Sequence, residues 1–264
     1  MDLGLKGKIA IVAAASKGLG LAVATELARE GAEVAICARS AERLEQATQS
    51  IREATAGRTV YSEAFDVTQA DRVAQFVAAV EKRFGRVDIC VTNAGGPPSK
   101  PFLDVSVEQW SAAVEMNLLS TVYFAREVLP RMQKNKWGRL VTITSSSVKQ
   151  PLDNMVLSNS IRAGVTGLAK TLANEFGPHG ITVNNVCPGF TRTDRLVELA
   201  DTRAATSGES REKIFEAWAA QIPLRRVGQP EEFAAVVAFL VSERASYVNG
   251  VSLAVDGGAV KSLL

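Results

Sequence analysis

Gly18-Leu19-Gly20 is the segment best suited to chemistry in this 264-residue chain. It stands between an apolar run, Ile9–Ala14, and a segment of helical period, Leu19–Glu30. Glycines at a strand-to-helix turn let the backbone approach a pyrophosphate, and a helix N-terminus offers unpaired N–H groups and positive potential. A second group of polar residues lies further along. Ser145 closes another apolar run in Ile143-Thr144-Ser145-Ser146-Ser147. Asn117, in Glu115-Met116-Asn117-Leu118, interrupts a helical pattern, where asparagine is disfavoured unless its amide bonds something specific. His179 is the only histidine, which excludes a histidine-based triad or a multi-histidine metal site within one chain. Cys37, Cys90 and Cys187 lie in or beside apolar runs with no metal-ligand spacing, as expected of core thiols in a reducing compartment.

The elements that must hold these groups alternate along the chain. Ile9–Ala14, Glu33–Cys37, Thr59–Ala64, Val87–Thr92, Arg139–Thr144, Ile181–Val186 and Val251–Val255 read as strands. Between them, Leu19–Glu30, Ala41–Ala54, Gln69–Phe84, Val107–Gln133, Arg162–Phe176 and Glu231–Ser242 have helical period. Most strands are apolar on both faces, which predicts a parallel sheet covered by helices on each side and wound in two directions. No linker or repeat divides the chain, so residues 1–264 read as one dinucleotide-binding domain. Thr191–Gln221 breaks the alternation. It is polar and irregular, with 204–209 reading as a mobile loop, and is expected to form a lid over the strand ends where α/β sheets bind ligands.

Charge narrows the partners. Thirty Lys and Arg oppose 28 Asp and Glu, a net charge of +2, which gives no long-range field for nucleic acid or an anionic membrane. Lys134-Asn135-Lys136 reads as a solvated turn. No stretch approaches the ~20 apolar residues that a bilayer span needs, and Ile9–Ala15 sits at the lower limit for a leader core. A cytoplasmic location is expected.

The motifs together resemble the short-chain dehydrogenase/reductase family, and in particular its 3-oxoacyl-ACP reductase-like members. Ala13-Ala14-Ala15-Ser16-Lys17-Gly18-Leu19-Gly20 is similar to the family's Thr-Gly-x-x-x-Gly-x-Gly, with Ala14 at its first glycine. If that position needs φ > 0, alanine there costs roughly 1–2 kcal/mol. Phe65-Asp66-Val67 resembles the adenine-contacting Asp-Val. Thr92-Asn93-Ala94-Gly95 resembles Asn-Asn-Ala-Gly, and Asn184-Asn185-Val186-Cys187-Pro188-Gly189 the Pro-Gly segment facing the nicotinamide. Thr191 and Thr193 then contact carboxamide and phosphate, and Asp256-Gly257-Gly258 matches the closing strand. The resemblance spans residues 7 to 258 and implies a Rossmann-type, doubly wound, seven-stranded parallel sheet. At the end of the second strand, Arg39-Ser40 replaces the acidic residue that would hold the ribose hydroxyls of NAD(H). Arg39 can clamp a 2′-phosphate and Lys17 can add charge, so NADP(H) is favoured over NAD(H).

The resemblance also assigns the reaction end, and there the chain departs from it. Family members pass hydride between nicotinamide and a carbonyl or alcohol carbon, using an asparagine, a serine, a tyrosine and a lysine one turn after the tyrosine. Asn117 and Ser145 fall at the first two positions, but the tyrosine falls on Ser158 and the lysine on Arg162. An aliphatic hydroxyl is a far weaker acid than a phenol, so Ser158 is a poor proton donor, while Arg162 can still bind ribose hydroxyls or polarise a carbonyl. Lys149 and Asp153 are other donors between the two serines. Two functions stay open: an NADP(H)-dependent oxidoreductase with altered proton-transfer residues, and a non-catalytic NADP(H)-binding or regulatory protein. The resemblance further implies a homodimer or homotetramer built on Val107–Gln133 and the apolar Phe233–Val241 segment.

Overall fold

A computed structural model describes residues 2–55 and 57–263. Seven strands form one sheet in the order β3-β2-β1-β4-β5-β6-β7, with every neighbouring pair parallel. The strands are β1 Ile9–Val12, β2 Glu33–Ala38, β3 Val60–Ala64, β4 Ile89–Thr92, β5 Gly138–Ile143, β6 Ile181–Pro188 and β7 Ser252–Val255. The central ones, β1, β4 and β5, are buried along their whole length. That burial explains their unbroken apolar character, because helices cover both faces. Helices α1 (Gly18–Arg29), α2 (Ala41–Ala54) and α9 (Pro230–Leu240) enclose one core layer around Leu27, Ile51, Phe233 and Val237. Helices α3 (Ala70–Phe84), α5 (Ser120–Asn135) and α6 (Val156–Phe176) enclose the other around Phe76, Phe124 and Met132. Each such fully buried side chain contributes roughly 1.5–3 kcal/mol of hydrophobic stabilisation. All three cysteines are free and buried.

Local signals explain where the elements begin and end. Ser40 caps α2 by accepting from the Arg43 amide, and α3 ends at Gly85 with φ +82°. Lys136, also left-handed, closes α5, so the Lys134–Lys136 stretch is a helix end.

Three sequence expectations are corrected here. The long Val107–Gln133 helix is instead α4 (Val107–Ala113), a π-helical stretch over Val114–Leu119, and α5. Helix α6 starts at Val156, six residues earlier than the apolar period suggests, and so carries Ser158 in its first turn. Most of the segment expected to be irregular is helical, as α7 (Asp194–Ser207) and α8 (Arg211–Gln221), with only Gly208–Ser210 between them. Leu196, Ala200, Ile214, Trp218 and Val227 form a small core of their own there, and Phe190 stacks on Trp218 at 5.0 Å. Neither helix has a face that can be buried alone; each supplies the other's. The Phe233–Val241 segment likewise turns mostly inward: Phe233, Val237, Leu240 and Val241 are buried, and only Ala235 and Phe239 are exposed.

Candidate functional site

The turn after β1 is built for close backbone approach. Ala13 N–H donates to Val91 and Ala15 N–H to Cys37, pinning the chain between β4 and β2. Ala14 then adopts φ +49° and Gly18 φ +58°. The alanine therefore keeps the left-handed conformation that the turn demands and bears its strain. A Cβ on Gly20 would lie 2.6 Å from the Ala14 carbonyl oxygen and 3.0 Å from Asn93 Nδ2, so α1 can start against β1 only with glycine there. Asn93 Nδ2 donates to that same carbonyl at 3.3 Å, tying the loop after β4 to the turn after β1. Ala14→Gly is expected to raise stability by about 0.5–1 kcal/mol, the relieved strain less the extra chain entropy. Urea denaturation checks this; an unchanged or lower midpoint contradicts it.

Around this turn the residues of the dinucleotide end separate into two groups. Arg39 is exposed at the end of β2, with no hydrogen bond or ion pair among the described residues, whereas the Ser40 hydroxyl serves the α2 cap. Asp66 accepts from the Thr68 amide and hydroxyl and so shapes its own turn, with Val67 buried beside it. Ser16, Leu19 and Ala94 are half-buried around the cleft, and Gly95 lies exposed at its rim. Lys17 reaches α7, pairing with Asp194 at 3.2 Å and Glu198 at 3.6 Å. Thr193 caps α7 by accepting from the Leu196 amide and packs against Gly18, so the start of α7 rests on the glycine turn. Thr191 is buried, and its hydroxyl donates to the Gly189 carbonyl. Gly189, next to the half-buried Pro188, has no room for a Cβ, which would meet Asp256.

The polar group at the far side of the cleft is mostly buried. The π-helical stretch turns Asn117 inward, where Nδ2 donates to the Gly95 carbonyl at 3.3 Å and Oδ1 has no partner. Such one-turn π insertions often mark functional positions. Ser145 accepts from the Ser147 amide at 3.1 Å. Ser158 pairs through its hydroxyl with Ser147 at 3.3 Å, and both are buried. Ser147 was not singled out by the sequence, because three serines in a row give no reason to prefer one. Arg162, only 8% exposed, donates from Nη1 to the carbonyls of Ile143 at 3.2 Å and Thr144 at 2.7 Å. Burial, with the nearby Arg195 guanidinium adding to it, pulls Arg162 down to about 10, so it stays charged at neutral pH.

Behind the site, Asn185 accepts from Thr142 and Thr144 and donates to Thr166 and Ser252, locking β5, β6, β7 and α6 together. Lys149 lies near Cys187, where burial pushes the thiol up, and lines a small cavity with Asp256 and Val260. Arg195 is a further residue that spacing alone did not mark. It lies on the first turn of α7, and its Nη2 donates to the Pro97 carbonyl at 3.0 Å. Among the described residues no group of histidine, cysteine or carboxylate side chains could hold a metal ion, and no helix is long and apolar enough to cross a membrane.

Comparison with known proteins shows the family and the fold. Residues 13–260 match the family model described as enoyl-(acyl carrier protein) reductase. The chain is 36% identical to a putative ketoacyl reductase of the granaticin polyketide synthase of Streptomyces violaceoruber, covering 95% of this chain and 92% of that protein. It is also 36% identical to the 3-oxoacyl-(acyl-carrier-protein) reductase of Vibrio cholerae, covering 97% of this chain and 98% of the relative. Among solved structures, L-sorbose reductase of Gluconobacter frateurii, complexed with NADPH and L-sorbose, superposes with a TM-score of 0.95 at 33% identity over the whole of both chains.

Proposed function

The chain belongs to the short-chain dehydrogenase/reductase family of oxidoreductases, and we propose that it uses NADP(H) to interconvert a carbonyl compound and its alcohol. The observation that carries this reading is the cradle at the head of α1. There the strained Ala14, Gly18 and the closely packed Gly20 leave backbone at the helix N-terminus open to a pyrophosphate. The residues fit such a cofactor: Ser16 to Gly20 at the phosphates, Asp66 and Val67 near the adenine, Asn93 to Gly95 along the ribose, and Pro188, Gly189, Thr191 and Thr193 at the nicotinamide side. Arg39 holds the 2′-phosphate, because it stands unpaired at the end of β2 where NAD-dependent relatives would need a carboxylate. When bound, the nicotinamide supplies or accepts the hydride.

The chain's own groups then manage the substrate oxygen. Ser145 and Ser158 offer hydroxyls, and Asn117 orders the loop at Gly95. Arg162 supplies a fixed positive charge in a buried setting, where it is worth more than in water. The site thus stabilises negative charge on oxygen, and the proton that completes the alcohol, or leaves it in the reverse direction, is exchanged with water. A homodimer or homotetramer remains part of this reading, supported by the exposed Leu253 on edge strand β7, the exposed Val251 just before it and the fully exposed Tyr247. Light scattering at micromolar concentration tests it, and a monomeric mass overturns it.

Two measurements test the reading. Arg39→Met is expected to lower the preference for NADP+ over NAD+ by about tenfold or more, the loss of a charge-assisted fork, as read by calorimetric titration. An unchanged preference removes Arg39 from the cofactor site. Turnover is followed by nicotinamide absorbance across ketones, 3-oxoacyl thioesters and alcohols. Binding of NADP(H) with no turnover of any of them favours the second reading, a non-catalytic NADP(H)-binding protein, for which the buried Ser158–Ser147 pair in place of a phenol is the supporting observation.

A further inference from the structure

Two arginines lie near the catalytic-end residues, and only one of them, Arg195, has an acid beside it. Arg162 is buried at the end of β5, and no carboxylate pairs with it among the described residues. Arg195 reaches over the same mouth from α7: besides its bond to Pro97, its Nε lies 3.3 Å from where a Cβ on Gly96 would stand. The segment it touches is tied in turn to the head of α6. Ser99 Oγ donates to the Asn154 carbonyl at 2.9 Å, and Lys100 bridges to Met155. Arg195 is thereby held beside the 96–100 segment, which is tied to the head of α6, the helix that carries Ser158 and Arg162, and its charge adds to the burial that lowers the Arg162 pKa. Its acidic neighbour, Glu198, is 3.6 Å away on the same helix, more than half exposed and shared with Lys17. Such a pair contributes little and yields easily.

A buried cation facing a second one is costly to fold unless an anion joins them. The planar fork of arginine matches the two oxygens of a carboxylate better than any neutral group. Building on the oxidoreductase reading, we propose that the substrate bears a carboxylate, which Arg195 holds at the mouth while the reacting oxygen faces Ser158 and Arg162. The same pair of cations could instead serve a phosphate of the cofactor, and the experiment separates the two sources.

Calorimetric titration of the protein saturated with NADP+, which cannot reduce a ketone, compares 4-oxopentanoate with its methyl ester. The acid is expected to bind about tenfold more tightly than the ester, with that ratio collapsing towards unity in Arg195→Met and partly restored in Arg195→Lys. Equal affinities in the wild type, no detectable binding of either compound at millimolar concentration, or a ratio that survives Arg195→Met each overturn the proposal. A drop in NADP+ affinity in Arg195→Met with the acid-to-ester ratio intact assigns the cations to the cofactor phosphate and also overturns it. Failure of NADP+ itself to bind removes the oxidoreductase reading. The same acid and ester comparison on the unloaded protein then decides the carboxylate site by itself.

Discussion

Gly20→Ala is expected to weaken NADP+ binding by about a hundredfold and to lower stability by about 1–3 kcal/mol. The new methyl group would stand 2.6 Å from the Ala14 carbonyl oxygen and 3.0 Å from Ala15 Cα and Asn93 Nδ2. Two of these three are backbone atoms pinned by bonds to β2 and β4, so the clash is relieved only by moving the head of α1 away from β1. That movement displaces the N–H groups on which a pyrophosphate depends, and loss of about two good hydrogen bonds to an anion accounts for the hundredfold. The control is Gly167→Ala on the exposed face of α6, where nothing lies within 4 Å of the added Cβ. There the change is expected to stabilise by up to about 1 kcal/mol through helix propensity alone. Calorimetric titration and urea denaturation of both variants check the contrast; equal NADP+ affinity in Gly20→Ala and wild type contradicts the cradle.

Arg162→Met carries the second large effect. It removes the buried charge while keeping most of the side-chain volume. Loss of a preorganised charge next to a developing oxyanion costs about a hundredfold or more in kcat/KM. Stability should change far less, because two opposing terms nearly offset. The carbonyls of Ile143 and Thr144 lose a charged donor, yet the chain no longer buries an unpaired guanidinium. Arg162→Lys retains the charge but not the fork, so its kcat/KM should fall between the two. Activity in Arg162→Met equal to wild type, at preserved fold, shows that Arg162 only ties down the end of β5.

Much of this was legible from the chain. Alternating apolar runs and helical periods identify seven strands and the parallel sheet, because the signal is local: a strand buried on both faces must be apolar throughout, as Ile9–Val12 is. The glycine turn was legible for the same reason, since its conformation is imposed over a few consecutive residues. Alanine at position 14 raised a question that only φ +49° answered: the turn is retained at the cost of strain and is not reshaped. The lid was misread because Leu196 and Ala200 find their partners in Ile214 and Trp218 on the next helix, so neither segment shows a clear apolar face alone.

What the amino-acid order determined by itself, then, is the frame: the sheet, the glycine turn after β1, and the absence of tyrosine and lysine at positions 158 and 162. What only the tertiary structure decided is where the charged and hydroxyl groups point. Lys17 turns to Asp194 and Glu198, Ser158 chooses Ser147, Arg162 spends one nitrogen on the end of β5, and Arg195 crosses to Pro97. Each of these is a contact between side chains and elements brought together by a crossover, and long polar side chains have several rotamers of similar energy until the folded neighbours select one.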